Sequence, residues 1–299
     1  MSFNQFKNLK KGTYRVVIKS SMTHENMRYG EIILKGLSSK EILLSTNICH
    51  PSMASNELSG PVILNNLMKR IQKRKNFFTY RALFIPETIG SIAYINENLS
   101  NLKKNIFCGL TLTCLGDDKV YSFVKSPKKD SYINKIVFKT LKNEKKKKIY
   151  EFTERGSDER NYCAPNVELD VGCFTRSKFG RYKEYHTSGD NLEFISKKGM
   201  FNSLMKINKI IDLIEKKKYS NKYIASSIGE PKMDQYNLRD HIGAPKKFDK
   251  NKKNIMNIWV YCNGKNDENI ISKLTKIKLS KVKEILSLLQ EKKLITLKN

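Results

Sequence analysis

The sequence predicts an α/β fold, three layers αβα around a mainly parallel central sheet, followed by a small helical module. Three observations predict it. The runs "EILLSTNIC", "FTYRALFIP" and "IFCGLTLTCLG" are near-continuous in apolar residues, as strands covered on both faces are, instead of alternating. Stretches with helical periodicity separate them, giving the order strand, helix, strand, helix, strand. Conspicuous polar residues stand just where the apolar runs end, His50 after the first and Glu87 after the second. Parallel sheets bind ligands at the C-terminal ends of their strands.

Taken in order, residues 14 to 44 read as strands, because "TYRVVIKS" and "GEIILKG" are rich in β-branched residues and are separated by a polar stretch ending at Tyr29-Gly30. A helix is expected from about Pro61, with Ser59 as its N-cap and Pro61 in the first turn, where a missing N–H costs nothing. Val62, Ile63, Leu64, Leu67, Met68 and Ile71 form its apolar stripe. "TIGSIAYINEN" opens a second helix, "ELDVGCFT" reads as a further strand, and a helix from Lys197 to about Lys217 completes the domain. Residues 227–252 are rich in Gly, Pro, Lys and Asp and read as a linker. The segments "IMNIWVYCNG", "DENIISKLTKI" and "SKVKEILSLLQEKKLITLKN" then describe a winged helix-turn-helix. The division expected is a β-rich segment over 1–40, an α/β domain over 41–226, a linker over 227–252 and the winged helix over 253–299.

The chain has 299 residues, enough for one large α/β domain and a small module. With 39% hydrophobic and 10% aromatic residues it is too apolar to be disordered, and no run approaches the roughly 18 apolar residues that span a bilayer. The N-terminus lacks the apolar core of a secretion signal, which places the chain in the cytoplasm. Its six cysteines show neither a C-x-x-C pair nor zinc-finger spacing and read as reduced core thiols. The net charge of +28 invites a nucleic-acid reading, but only ten of the 57 basic residues are Arg. The lysines accompany heavy Asn and Ile use, as AT-rich coding produces, and the densest cluster, Lys142 to Lys148, reads as a solvated loop or helix face. The candidate recognition helix offers Ser280, Lys281 and Lys283 and no Arg, so sequence-specific readout of DNA is not expected.

Four stretches carry chemistry: "STNICHPSMASNELSG", "FIPETIGSIAYI", "ERGSDERNYCAPNVELDVG" and "EYHTSGDNLEFI". In this order they resemble a bacterial aminopeptidase-like family known as a domain of unknown function (DUF4910-type), with a C-terminal winged helix and an association with surface-polysaccharide biosynthesis loci. The resemblance runs from about residue 10 to the end. It implies the fold of the zinc aminopeptidases with two co-catalytic metals, a clan that includes glutamate carboxypeptidase and glutaminyl cyclase. Relatives are longer at the N-terminus, so the chain is expected to be a fragment or a truncated, degenerate member.

The resemblance implies His50 and His186 as metal-binding histidines and Glu87 as general base. It places Asn56 where the zinc aminopeptidases carry a metal-bridging aspartate, and Thr88 and Thr113 where other carboxylate ligands would stand. Asp158 matches an aspartate near the site and is expected, with Glu87, among the catalytic residues. Two close cations need bridging carboxylates, so the replacements at Asn56, Thr88 and Thr113 reduce the expectation to one zinc, with His50, His186 and either Asn56 or Asp158 as ligands and an open fourth position. Zinc brings the pKa of its water to about 7, and Glu87 would take the proton as a carbonyl is attacked. The expected activity is hydrolysis of an amide in a small or peptide-like substrate, with no membrane partner; homo-oligomers are left open. Each residue also has a structural reading: His50 as a strand-end residue before Pro51, His186 as a satisfied neighbour of Tyr185, Glu87 as a helix cap, Asp158 as an ion pair or loop cap beside Arg155 and Arg160, and Asn56 as an Asx turn. Two rival functions follow, a binding module on the same fold without competent chemistry, and a DNA-binding regulator led by the C-terminal module.

Overall fold

The structure is a computed structural model and describes residues 1–216, 222–238 and 250–298. The chain divides into two units, Met1–Lys216 and Lys217–Asn299. The first begins with the short helix α1 (Phe3–Lys7) and an extended stretch, then runs β1 (Gly30–Leu34), β2 (Glu41–Asn47), a π-helical turn (Ala54–Leu58) continuing into α2 (Ser59–Gln72), β3 (Thr79–Ile85), α3 (Ile89–Asn105) and β4 (Ile106–Leu112). It continues with β5 (Tyr121–Val124), α4 (Tyr132–Leu141), β6 (Lys147–Tyr150), α5 (Glu159–Tyr162), β7 (Val171–Thr175) and α6 (Lys197–Glu215).

These strands form one seven-stranded sheet in the order β1-β3-β2-β4-β7-β5-β6. The central four, β3, β2, β4 and β7, are mutually parallel; β1 runs antiparallel to β3, and β5 antiparallel to β7. Both faces are covered. Ile42, Leu44, Tyr80 and Leu110 pack with apolar residues of α2, α4 and α6, while Leu43, Leu83, Ile85 and Val171 pack with those of α3 and α5. Alternate residues of one strand thus enter different cores, which is why the runs read as continuously apolar.

Three local expectations are corrected. "TYRVVIKS" forms no strand: Val16 and Ile18 are 79% and 82% exposed, because β-branched residues favour a pleated, half-buried surface and here none is paired with them. Ser59 is not an N-cap. The helical course already begins at Ala54, and the Ser59 hydroxyl lies inside it, donating to the Ser55 carbonyl and accepting from Leu115 N at 2.8 Å. Of the lysine cluster, Lys147 and Lys148 belong to the edge strand β6, where exposed lysines keep the open edge from pairing with another chain.

In the second unit β8 (Lys222–Ala225) pairs antiparallel with β9 (Ile295–Lys298), accompanied by α7 (Lys250–Trp259), α8 (Glu268–Thr275) and α9 (Leu279–Glu291). Ile258, Cys262, Ile271, Val282, Ile285, Leu286 and Leu289 are among its core residues. Asp267 caps α8, its carboxylate accepting from Asn269 N and Ile270 N at 2.8 Å. Residues 239–249 of the expected linker lie outside the described residues. Among the described residues no helix is long and apolar enough to cross a membrane.

Candidate active site

The sequence-expected residues converge at the C-terminal ends of the parallel strands. His50 follows β2, Glu87 follows β3, Thr113 follows β4, and His186 lies in the long connection between β7 and α6. His50 and His186 face each other edge to face, with ring centres 5.0 Å apart. Tyr185 stacks on His186 at 3.9 Å, and the His186 backbone is left-handed (φ 56°), a conformation a non-glycine residue holds only where its surroundings fix it. Desolvation first, and then the facing His50, hold the His186 imidazole below its ordinary pKa, which favours the neutral form.

What brings the two histidines together is Asp190, which the sequence reading passed over. Its buried carboxylate accepts from Ser55 N (2.6 Å) and Asn56 N (3.0 Å), and its carbonyl accepts from Ala54 N (3.0 Å). Asp190 therefore caps the turn that leads into α2 from across the fold and ties the His186 loop to the segment after His50.

Glu87 is half-buried. Its Oε1 accepts from Asn47 Nδ2 (2.9 Å) and Ser157 Oγ (2.8 Å), and among the described residues Oε2 carries no hydrogen bond. Its carboxylate does not cap α3; that place is taken by Asp158, whose Oδ1 accepts from Thr88 N and Ser91 Oγ, both at 2.8 Å. Asp158 Oδ1 thereby ties its loop to the start of α3, and its Oδ2 is buried without a partner. Burial pushes the Asp158 carboxyl up to about 6, against the backbone and hydroxyl donors that lower it, with Glu87 and Glu159 adding to the rise.

Glu57 is the second residue missed. It is buried, with Oε2 accepting from Cys49 N (2.9 Å) and Oε1 from Asn56 Nδ2 (3.0 Å), and burial together with the nearby Glu87 and Asp158 charges pushes it up to about 7. The only signal for it lay in its place beside Asn56 in "SNELSG". Asn56 itself has its amide committed: Nδ2 to Glu57, and Oδ1 to the Cys114 thiol at 3.2 Å. That thiol, fully buried and pushed up to about 12 by desolvation, keeps its proton and remains a donor. The Thr113 hydroxyl donates to the Asn56 carbonyl (2.8 Å), and the Thr88 hydroxyl accepts from the Arg160 guanidinium.

The geometry can be tested against a metal. Two imidazoles on one tetrahedral zinc, each with a Zn–N bond of about 2.0–2.1 Å, stand with ring centres about 5 Å apart. The His50–His186 pair fits that spacing. The oxygen ligand expected from Asn56 is turned to Cys114, and among the described residues no group of three or more His, Cys, Asp or Glu side chains is arranged to hold an ion. Two imidazoles at that spacing are therefore the donor set seen, and among the described residues no third ligand and no bridging carboxylate joins them.

A family model, a domain of unknown function (DUF4910), matches residues 7–217, more than half of the chain. The chain belongs to this family. A Clostridium acetobutylicum protein named for polysaccharide biosynthesis and an aminopeptidase-like domain is 39% identical over 213 residues, covering 71% of this chain and 49% of that protein. The chain thus spans about half the length of this curated relative. A crystal structure of a C. acetobutylicum protein assigned as a peptidase superposes with a TM-score of 0.61 at 32% identity, over 90% of this chain and 60% of that one. A zinc aminopeptidase from Bacillus subtilis matches at TM-score 0.53 and 14% identity, over 64% of this chain and 50% of that one. A glutaminyl cyclase from an Acidobacteriales bacterium matches at 0.51 and 14%, over 64% of this chain and 75% of that one. The last two share the fold with this member of the family, and its mainly parallel α/β first unit is the aminopeptidase-like fold.

Proposed function

We propose that the chain hydrolyses an amide bond in a small or peptide-like substrate, with His50 and His186 holding a single zinc ion and Glu87 accepting the proton of the attacking water. The observation that carries this reading is the pair of imidazole rings 5.0 Å apart at the strand ends that also present the half-buried Glu87 carboxylate. When bound, zinc supplies Lewis acidity that polarises the scissile carbonyl. The depressed His186 pKa supports the neutral state in which imidazole ligates, and stacking on Tyr185 fixes the plane of its ring. Asn47 and Ser157 anchor one oxygen of Glu87, which leaves the other to take a proton. The relative named for polysaccharide biosynthesis directs the search for substrate to amides of modified sugars.

Zinc titration of tag-free protein tests the site. One ion per chain is expected, and His50→Ala and His186→Ala should each weaken binding by more than about a hundredfold, since even losing a residue that only hydrogen-bonds a zinc ligand costs about 10–100-fold. Two tight ions, or undiminished binding in both variants, would sink the assignment. Glu87→Gln should retain the metal and lose about 10²–10⁴ in turnover.

A second reading, a binding module on the same fold, is favoured by one observation: Asn56, Thr88 and Thr113 are all occupied in hydrogen bonds that hold the protein together. Absence of turnover by the full chain across aminoacyl, N-acyl and acetyl-sugar amides with zinc, manganese or cobalt would select it. The helices α8 and α9, followed by β9, which pairs with β8 from before α7, support a winged helix-turn-helix in the second unit, used for protein contact and not for reading DNA sequence.

A further inference from the structure

Residues 157–161 grip residues 87–91 through a run of hydrogen bonds. Ser157 Oγ donates to Glu87 Oε1 (2.8 Å), Thr88 N and Ser91 Oγ donate to Asp158 Oδ1 (2.8 Å each), the Arg160 guanidinium reaches the Thr88 hydroxyl, and Asn161 Nδ2 donates to Ser91 Oγ (2.8 Å). The gripped segment contains a backbone that needs holding. Thr88, a β-branched residue, sits at φ 66° and ψ −71°, and this kink turns the chain directly after Glu87 into α3. The contact is deep at Ser157 (1% exposed), Asp158 (0%) and Ser91 (0%).

The hydroxyl of Ser157 is itself oriented. Asn47 Nδ2, which has only hydrogens to offer, approaches Ser157 Oγ at 3.3 Å and Glu87 Oε1 at 2.9 Å. Ser157 therefore accepts from Asn47, and its own O–H points at Glu87. Both donors meet the same oxygen of the Glu87 carboxylate. They also fix the plane of the carboxylate, so that its second oxygen has one direction.

We propose that Ser157 is a positioning residue for Glu87, held in place by the clamp that Asp158, Arg160 and Asn161 close on the start of α3. Ser157 does not touch the substrate; it sets the orientation and proton affinity of the group that does. The proposal rests on the reading of Glu87 as the proton acceptor, and its test is independent of any substrate.

The test follows the Glu87 carboxyl carbon by ¹³C NMR through a pH titration of the full chain labelled at glutamate side chains, with the resonance assigned by its loss in Glu87→Gln. Ser157→Ala removes a donor to the ionised form, so the proton affinity of Glu87 should rise about three- to tenfold, in keeping with one charge-assisted hydrogen bond at a half-buried group. Ser157→Thr, which keeps the hydroxyl, should restore the wild-type titration. Ser157→Cys, a weaker donor of similar size, should fall between the two and serves if the alanine variant does not fold. A Glu87 titration unmoved in Ser157→Ala or Ser157→Cys overturns the proposal, even where thermal stability has dropped, because a merely structural serine would affect folding alone. The two readings fail separately: Glu87→Gln with undiminished turnover removes Glu87 from the chemistry but leaves the effect of Ser157 on its titration as measured.

Discussion

Asp190→Asn tests whether one buried carboxylate joins the two halves of the site. In the wild type both carboxylate oxygens accept backbone N–H groups, from Ser55 at 2.6 Å and Asn56 at 3.0 Å, at the start of the helical course that becomes α2. The amide keeps one acceptor and turns an N–H toward the other backbone N–H. One charge-assisted hydrogen bond is lost, about 1.5–3 kcal/mol. The negative charge at a helix start goes with it, about 0.3–1 kcal/mol. Together these predict a loss of about 2–4 kcal/mol, equivalent to about 5–12 °C in Tm for a unit of this size. Urea and thermal unfolding should be followed by far-ultraviolet circular dichroism, because the one tryptophan, Trp259, reports on the core of the second unit. Tyr182→Phe, which removes a 3.4 Å contact to the same carboxylate and a 3.5 Å contact to Cys114 Sγ, is the control and should cost well under the Asp190→Asn loss. A loss below about 1 kcal/mol in Asp190→Asn would refute the cap and, with it, the account of how His186 is brought to His50.

Asp158, raised to about 6 from an ordinary 3.8, binds its proton more tightly folded than unfolded, so its stabilising contribution is present in acid and is lost as pH rises through about 6. Wild-type stability should fall relative to Asp158→Asn by up to about 3 kcal/mol between about pH 4 and 6.5, measured by urea unfolding at stepped pH; parallel profiles would contradict it. Asn56→Asp removes the amide donor to buried Glu57 and sets a second carboxylate beside it, so the metal-free protein should lose about 2 kcal/mol or more while its zinc affinity rises, both read by thermal unfolding with and without zinc. DNA binding by the whole chain should discriminate less than about a hundredfold between duplexes and should weaken steeply from 50 to 200 mM salt; fluorescence anisotropy with scrambled competitors decides between this and a sequence-specific regulator.

The strands carrying the site were legible because their signal is local. "EILLSTNIC" and "FTYRALFIP" announce buried parallel strands by composition alone, and the residues just past their ends were the ones to suspect. "TYRVVIKS" carries the same β-branched signal without forming a strand, since propensity cannot say whether a partner lies alongside. Ser59 failed as an N-cap for a related reason: its sequence context suits a cap, but the helical course starts earlier, at a turn closed by a residue far along the chain.

The sequence by itself determined the class of fold and the ends of the strands where chemistry could sit, with His50 and Glu87 just past them, while its motifs singled out Asp158 and His186 by resemblance. Only the tertiary structure decided which atoms each of them meets. Asp190 reaches Ser55 across 135 residues and Ser157 reaches Glu87 across 70, so neither contact has a period or spacing that a pattern could reveal. The same holds for Asn56, whose side-chain oxygen meets the Cys114 thiol across 58 residues. Hydrophobic periodicity records which side of an element is buried, through contacts within a few residues. Which polar atom meets which is set by the packing of whole elements, where a buried donor or acceptor without a partner costs about 1–3 kcal/mol, and that accounting exists only in three dimensions.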